Sequence, residues 1–87
     1  MAVVWIPPLL RPLAGGEKQV TVSGATVAQV IEALDARYPG LKARISSGDG
    51  LRPGVAVGVD GTLATLGLLE PVGENSEVEI FPAISGG

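Results

Sequence analysis

Residues 19–40 read QVTVSGATVAQVIEALDARYPG, and they hold the strongest structural signal in the chain. Gln19, Val20, Thr21, Val22 and Ser23 alternate polar and apolar, the period of a strand with one wet face. Thr26 is a preferred helix N-cap, and Gln29 stands three residues later, as in a capping box. Val27, Val30, Ile31, Leu34 and Tyr38 then recur at helical spacing, while Glu32, Asp35 and Arg37 fall off that stripe. Pro39 and Gly40 stop the helix, since the residue before a proline avoids the helical region and glycine accepts the left-handed turn that follows.

Upstream, Val3, Val4, Trp5 and Ile6 form a β-rich run closed by Pro7 and Pro8. Residues 9–16, with a further proline and Gly15-Gly16, read as a loop, so the first two strands form a hairpin. Downstream, residues 41–45 suit a short helical turn and residues 46–53 a polar loop. Val55, Val57 and Val59 share one face of a strand whose other face carries only Ala56 and Gly58. Asp60-Gly61 is a tight-turn signal. Residues 63–69 are apolar without a clear period, and residues 71–75 read as a turn. Glu77, Val78, Glu79, Ile80 and Phe81 alternate again, and Pro82 ends this last strand. The order β-β-α-β-short element-β is an α+β arrangement with one main helix on one sheet face. It suits a mixed sheet with a crossover, as in the ubiquitin-like β-grasp. The expected organisation is one β-grasp domain over residues 1–82 and a flexible tail over residues 83–87.

At 87 residues there is room for one modest core and little for a deep catalytic cleft. Trp5, Tyr38 and Phe81 are the only aromatic residues, so the core must be aliphatic. The chain has no Cys and no His. That removes thiol nucleophiles, the commonest general base and the usual transition-metal ligands, and with them any disulfide framework. No apolar run approaches the roughly 18–20 residues of a membrane span, and Met1 to Ile6 lacks the basic region of a signal peptide. These features place the chain in the cytoplasm, away from membranes. The net charge of −3 is uneven. All six basic residues lie before Gly54, whereas Asp60, Glu70, Glu74, Glu77 and Glu79 lie after it. An acidic second half argues against nucleic acid and for a protein partner with a basic surface, or else forms a solvated face that aids solubility.

No phosphate loop, dinucleotide fingerprint or His-based triad is present. Gly15-Gly16 followed by Lys18 lacks the spacing and the hydroxyl residue of a phosphate loop and reads as a hairpin loop. Glu77 and Glu79 share a strand face as solvated neighbours rather than as an acid/base pair. Phe81 falls on the same wet face, beside Pro82, Ala83 and Ile84. Either it builds an exposed apolar patch of the kind that marks partner sites, or it folds back over the sheet as ordinary packing. The chain closes on Gly86-Gly87, which is either a frayed end or a tail built to reach a reaction centre. Without Cβ atoms two glycines can thread a narrow channel and leave the terminal carbonyl open to attack.

The tail Phe81, Pro82, Ala83, Ile84, Ser85, Gly86, Gly87 resembles the ends of the ThiS/MoaD family of ubiquitin-like sulfur carriers. The front, Ile6 to Pro12 followed by Gly15, Gly16, Glu17 and Lys18, resembles the CysO-like subgroup that serves cysteine synthesis. The resemblance implies a β-grasp fold and a carrier without catalytic side chains. A partner resembling the ubiquitin-activating enzymes would adenylate Gly87 with ATP–Mg, and sulfur would then replace AMP to leave a thiocarboxylate. The chain itself would bind no cofactor and no metal. Gly86 would grant access, and Phe81, Pro82, Ala83, Ile84 and Ser85 would dock the partner enzymes. The acceptor would be a pyridoxal-phosphate-dependent cysteine synthase or, next, the large subunit of a molybdopterin synthase. The free carrier would be a monomer. Two other classes share these features: a ubiquitin-like modifier conjugated through Gly87, and a non-reactive β-grasp binding module acting through its sheet face.

Overall fold

Thr26 caps the helix as its spacing predicts. In the computed structural model, which describes residues 1–82, Thr26 Oγ1 accepts from the Gln29 N–H at 3.2 Å. The reciprocal bond is displaced by one residue: Gln29 Oε1 accepts from Ala25 N–H, at 2.8 Å, rather than from the cap itself. The helix, α1 (Val27–Arg37), buries Val27, Val30, Ile31 and Leu34. Each such side chain contributes about 1.5–3 kcal/mol when fully removed from water. Asp35 then fixes the exit. Its Oδ1 accepts from the N–H of Gly40 at 3.0 Å and of Lys42 at 3.1 Å, and Gly40 takes a φ of 106° that favours glycine. The second helix, α2 (Leu41–Ile45), buries Leu41 and Ile45.

The main sheet is built from β1 (Ala2–Trp5), β2 (Gln19–Val22), β5 (Val55–Val59), β6 (Thr62–Leu63) and β7 (Glu77–Pro82) in the order β2-β1-β7-β5-β6. β1 and β2 form the expected antiparallel hairpin. β7 lies parallel to β1 and antiparallel to β5, so the first and last strands of the sheet lie side by side at its centre. Ala2, Val4, Val20, Val22, Val57, Val78 and Ile80 join the buried residues of α1 and α2 in one aliphatic core on one face. Among the described residues, no helix or second sheet covers the other face. The fold is the ubiquitin-like β-grasp that the element order suits.

Three stretches differ from the sequence-based expectation. Residues 9–16 are not an open loop: Pro8–Ala14 is a 3-10 helix, with Leu10 and Ala14, four residues apart, both buried. Pro8 at its first position and Pro12 inside it hide the helical spacing. Residues 46–53 contain a small hairpin of β3 (Ser46–Ser47) and β4 (Gly50–Leu51). Residues 63–69 split between the end of β6 and a 3-10 turn at Gly67–Leu69. Pro82 closes β7 from inside, opposite Val55, rather than lying beyond the strand.

Candidate functional site

β7 alternates as its sequence requires. Val78 and Ile80 are buried, while Glu77, Glu79 and Phe81 point to the uncovered face. Because β7 is flanked by β1 and β5, these outward residues occupy the middle of that face. Glu79 stands between Trp5 on β1 and Gly58 on β5, and Phe81 stands opposite Ala56. Trp5 Nε1 donates to Glu77 Oε1 at 2.9 Å, which ties the indole to the acidic strand.

Both sequence readings of Phe81 hold in part. Its ring lies over β5: a Cβ built at Gly58 would sit 3.6 Å from Phe81 Cε1. Yet 38% of the residue stays exposed, alongside Trp5 at 41% and Leu63 at 58%. The low relief supplied by Ala56 and Gly58 is therefore used first by the chain's own Phe81, and what remains is a shallow, partly apolar band with Glu77 and Glu79 along its middle. Such a surface fits a partner that sets basic groups among apolar ones.

The start of β7 is held by a residue the sequence reading treated only as a turn former. Asp60 adopts a φ of 51° at the β5–β6 turn. Its carboxylate accepts from Glu77 N–H at 2.8 Å and from Ser76 Oγ at 2.7 Å, and its own N–H donates to Glu77 O at 2.8 Å. These bonds, first the Glu77 amide and then the Ser76 hydroxyl, hold the Asp60 carboxyl below the usual carboxylate range. The signal was present in the sequence as Asp60-Gly61, but its partner lies 16 residues away and has no local pattern.

Pro82, exposed, is the last of the described residues. Ala83, Ile84, Ser85, Gly86 and Gly87, expected to form the reactive tail and its anchor, lie outside the described residues. Among the described residues no group of three His, Cys, Asp or Glu side chains could hold a metal ion, and no helix is long and apolar enough to cross a membrane. The central strand β7 brings the chain to the margin of an open, partly apolar face.

A family model described as the ThiS family matches residues 4–87, nearly the whole chain. The chain belongs to the ThiS family. Within it, the chain is 35% identical to the sulfur carrier protein CysO of Mycobacterium tuberculosis, over 97% of this chain and 96% of that protein. Among solved structures, this ThiS-family fold superposes on the Amycolatopsis orientalis BexX/CysO complex with a TM-score of 0.92 at 35% identity, covering 100% of both chains. It also matches the small archaeal modifier protein 1 of Methanosarcina acetivorans, with a TM-score of 0.79 at 27% identity over 99% of this chain and 95% of that one.

Proposed function

We propose that this chain is a sulfur carrier that works through the carboxyl group of Gly87. The full-length likeness to a mycobacterial sulfur carrier carries the reading, and the open face beside the end of β7 agrees with it. In the proposed cycle a partner resembling the ubiquitin-activating enzymes adenylates the Gly87 carboxylate with ATP–Mg, releasing pyrophosphate. Sulfide then attacks the acyl carbon and AMP leaves to give the thiocarboxylate directly; a persulfide attacks in the same way to give an acyl disulfide, whose sulfur–sulfur bond a second thiol cleaves, releasing the thiocarboxylate and leaving the two thiols as a disulfide. The thiocarboxylate sulfur is an ionised nucleophile of the kind thiolates provide elsewhere. The chain is co-substrate rather than enzyme, which accords with a sequence that has neither Cys nor His.

Phe81 and Pro82, with Ala83, Ile84 and Ser85, dock the enzymes, and Gly86 lets the end pass into their active sites. The favoured acceptor is a pyridoxal-phosphate-dependent cysteine synthase, with the large subunit of a molybdopterin synthase next, and the setting is the cytoplasm. The chain is incubated with ATP and sulfide in extract of its own organism and weighed intact. The expected result is a mass gain equal to one oxygen replaced by sulfur, absent when Gly87 is deleted, with the melting temperature unchanged by the deletion. No gain in the presence of a competent activating enzyme overturns the reading. The likeness to an archaeal modifier protein favours one second reading, conjugation of Gly87 to lysines, which would appear in the same samples as isopeptide-linked adducts.

A further inference from the structure

Among the described residues, β2 is the outermost strand on one side of the main sheet. The ladder shows which of its main-chain groups face outward. Ile6 N–H donates to Lys18 O at 2.9 Å, so these two residues form a hydrogen-bonded pair at the next step of the β1–β2 register. Such pairs alternate along an antiparallel ladder, which turns Val20 and Val22 toward β1 and Gln19 and Thr21 away from it. The N–H and C=O groups of Gln19 and Thr21 therefore point off the edge of the sheet, and both residues are exposed. Thr21 O is met there by the helix: Arg37 Nη1 donates to it at 3.4 Å, a long bond. We propose that this edge is a strand-addition site for an extended acidic segment of another protein.

The backbone suits that use. Native sheets protect an open edge with prolines or bulges, and β2 pairs with β1 residue for residue from Val22 to Gln19 without either. An added strand gains its affinity from main-chain hydrogen bonds and its specificity from alternate side chains.

The charges choose the occupant. Gln19 and Thr21 share the open face with Trp5 and Val3, while Val20 and Val22 are buried on the helix side. By the same alternation Lys18 falls on the helix side, and Arg37 arrives from the last turn of α1 on that side. Both cations are exposed. Asp35, the carboxylate nearest Arg37 in the helix, is engaged with the amides of Gly40 and Lys42. An incoming strand lays every second side chain between Lys18 and Arg37, so carboxylates on alternate residues meet both. Arg37 then yields Thr21 O to an incoming N–H and turns its fork to a carboxylate. A second copy joined through β2 would instead gather two Lys18 and two Arg37 side chains on one side of the joint, and like charges across paired strands repel. The inference is independent of the sulfur-carrier reading, because the edge is remote from any chemistry at Gly87.

Nitrogen-15 amide spectra of the full chain test it, with a capped octapeptide of alternating valine and glutamate as the probe at about 0.01 M salt. Before peptide is added, the Gln19 and Thr21 amides should exchange with solvent much faster than those of Val20 and Val22. The peptide should shift and protect Gln19 and Thr21 above all, with a Kd of about 1 mM or tighter. Arg37→Glu and, separately, Lys18→Glu should each weaken binding at least about fivefold at an unchanged melting temperature. Two further peptides leave the chain untouched: each is methylated on alternate amide nitrogens, in opposite phase. The phase that blocks the N–H groups facing β2 should lose binding, and the other should keep it. No shift at about 10 mM peptide, shifts centred on another element, or equal binding by the two methylated peptides overturns the proposal. So does equal binding by a valine–lysine octapeptide. Shifts at Gln19 and Thr21 that grow with chain concentration alone would make a second copy the occupant and overturn it too.

Discussion

Replacing Phe81 with aspartate should separate docking from folding. Phe81 is 38% exposed, so roughly three-fifths of it is covered, with its ring lying against β5 at Gly58. A phenylalanine buries on the order of 200 Å² when fully covered, which makes the covered part about 120 Å². At about 25 cal/mol per Å² this is about 3 kcal/mol, and the compactness of a real unfolded chain lowers it to about 2 kcal/mol. A small domain has about 5–15 kcal/mol to lose, so the variant stays folded with a lower urea midpoint. Docking should suffer more. An aromatic anchor at the centre of an interface contributes at least about 2 kcal/mol, or roughly 30-fold, and the new charge joins Glu77 and Glu79 on the same face. The assay pairs urea denaturation with kcat/KM for thiocarboxylate formation by the activating enzyme. Phe81→Leu, which keeps an apolar side chain, should recover most of both. Loss of the folded circular-dichroism spectrum in Phe81→Asp would place the ring in the core. A kcat/KM within twofold of wild type would refute the docking role.

Gly24→Ala should lower stability by about 1–3 kcal/mol, because its Cβ would come within 2.8 Å of both the Val30 amide nitrogen and Val30 Cγ2 at the first turn of α1; an unshifted denaturation midpoint would mean that the turn relaxes freely. Thr26→Ala should cost about 1 kcal/mol through loss of the bond to Gln29 N–H, read in the same assay. Asp60 titrates below its ordinary value near 3.8, so its contribution is complete above that value and is lost as pH falls through the folded-state pKa. Asp60→Asn should therefore flatten the acid limb of the stability profile below about pH 4, and an identical acid limb in the variant would show that other carboxylates govern it.

Sequence period made the long elements legible. The alternation of residues 19–23 and 77–81, the stripe from Val27 to Tyr38 and the Val55, Val57, Val59 face all appear where expected. Two-residue strands such as β3, β4 and β6 are too short to carry a period, and the 3-10 helix at Pro8–Ala14 is masked by its prolines. At the candidate site the outward placement of Phe81 followed from alternation. Its seat on Gly58 did not, because cross-strand register is set by pairing between distant residues. The Asp60 lock on Ser76 and Glu77 was hidden for the same reason. A groove beside Pro82 gathers residues from four separated stretches, among them Leu9, Arg44, Arg52 and Phe81, and no local pattern announces it.

The parallel pairing of β1 with β7 has a consequence for timing. During synthesis β1 emerges before every other element, but its neighbour β7 at the centre of the sheet emerges after all of them. A pairing of such long sequence separation forms late, after local structure such as the β1–β2 hairpin and α1. The sheet cannot close until β7 has left the ribosome. A chain that stops before β7 lacks the strand that joins the β1–β2 hairpin to β5 and β6. The fold thereby acts as its own inspection step: a molecule that presents a closed sheet to other proteins has been translated through β7.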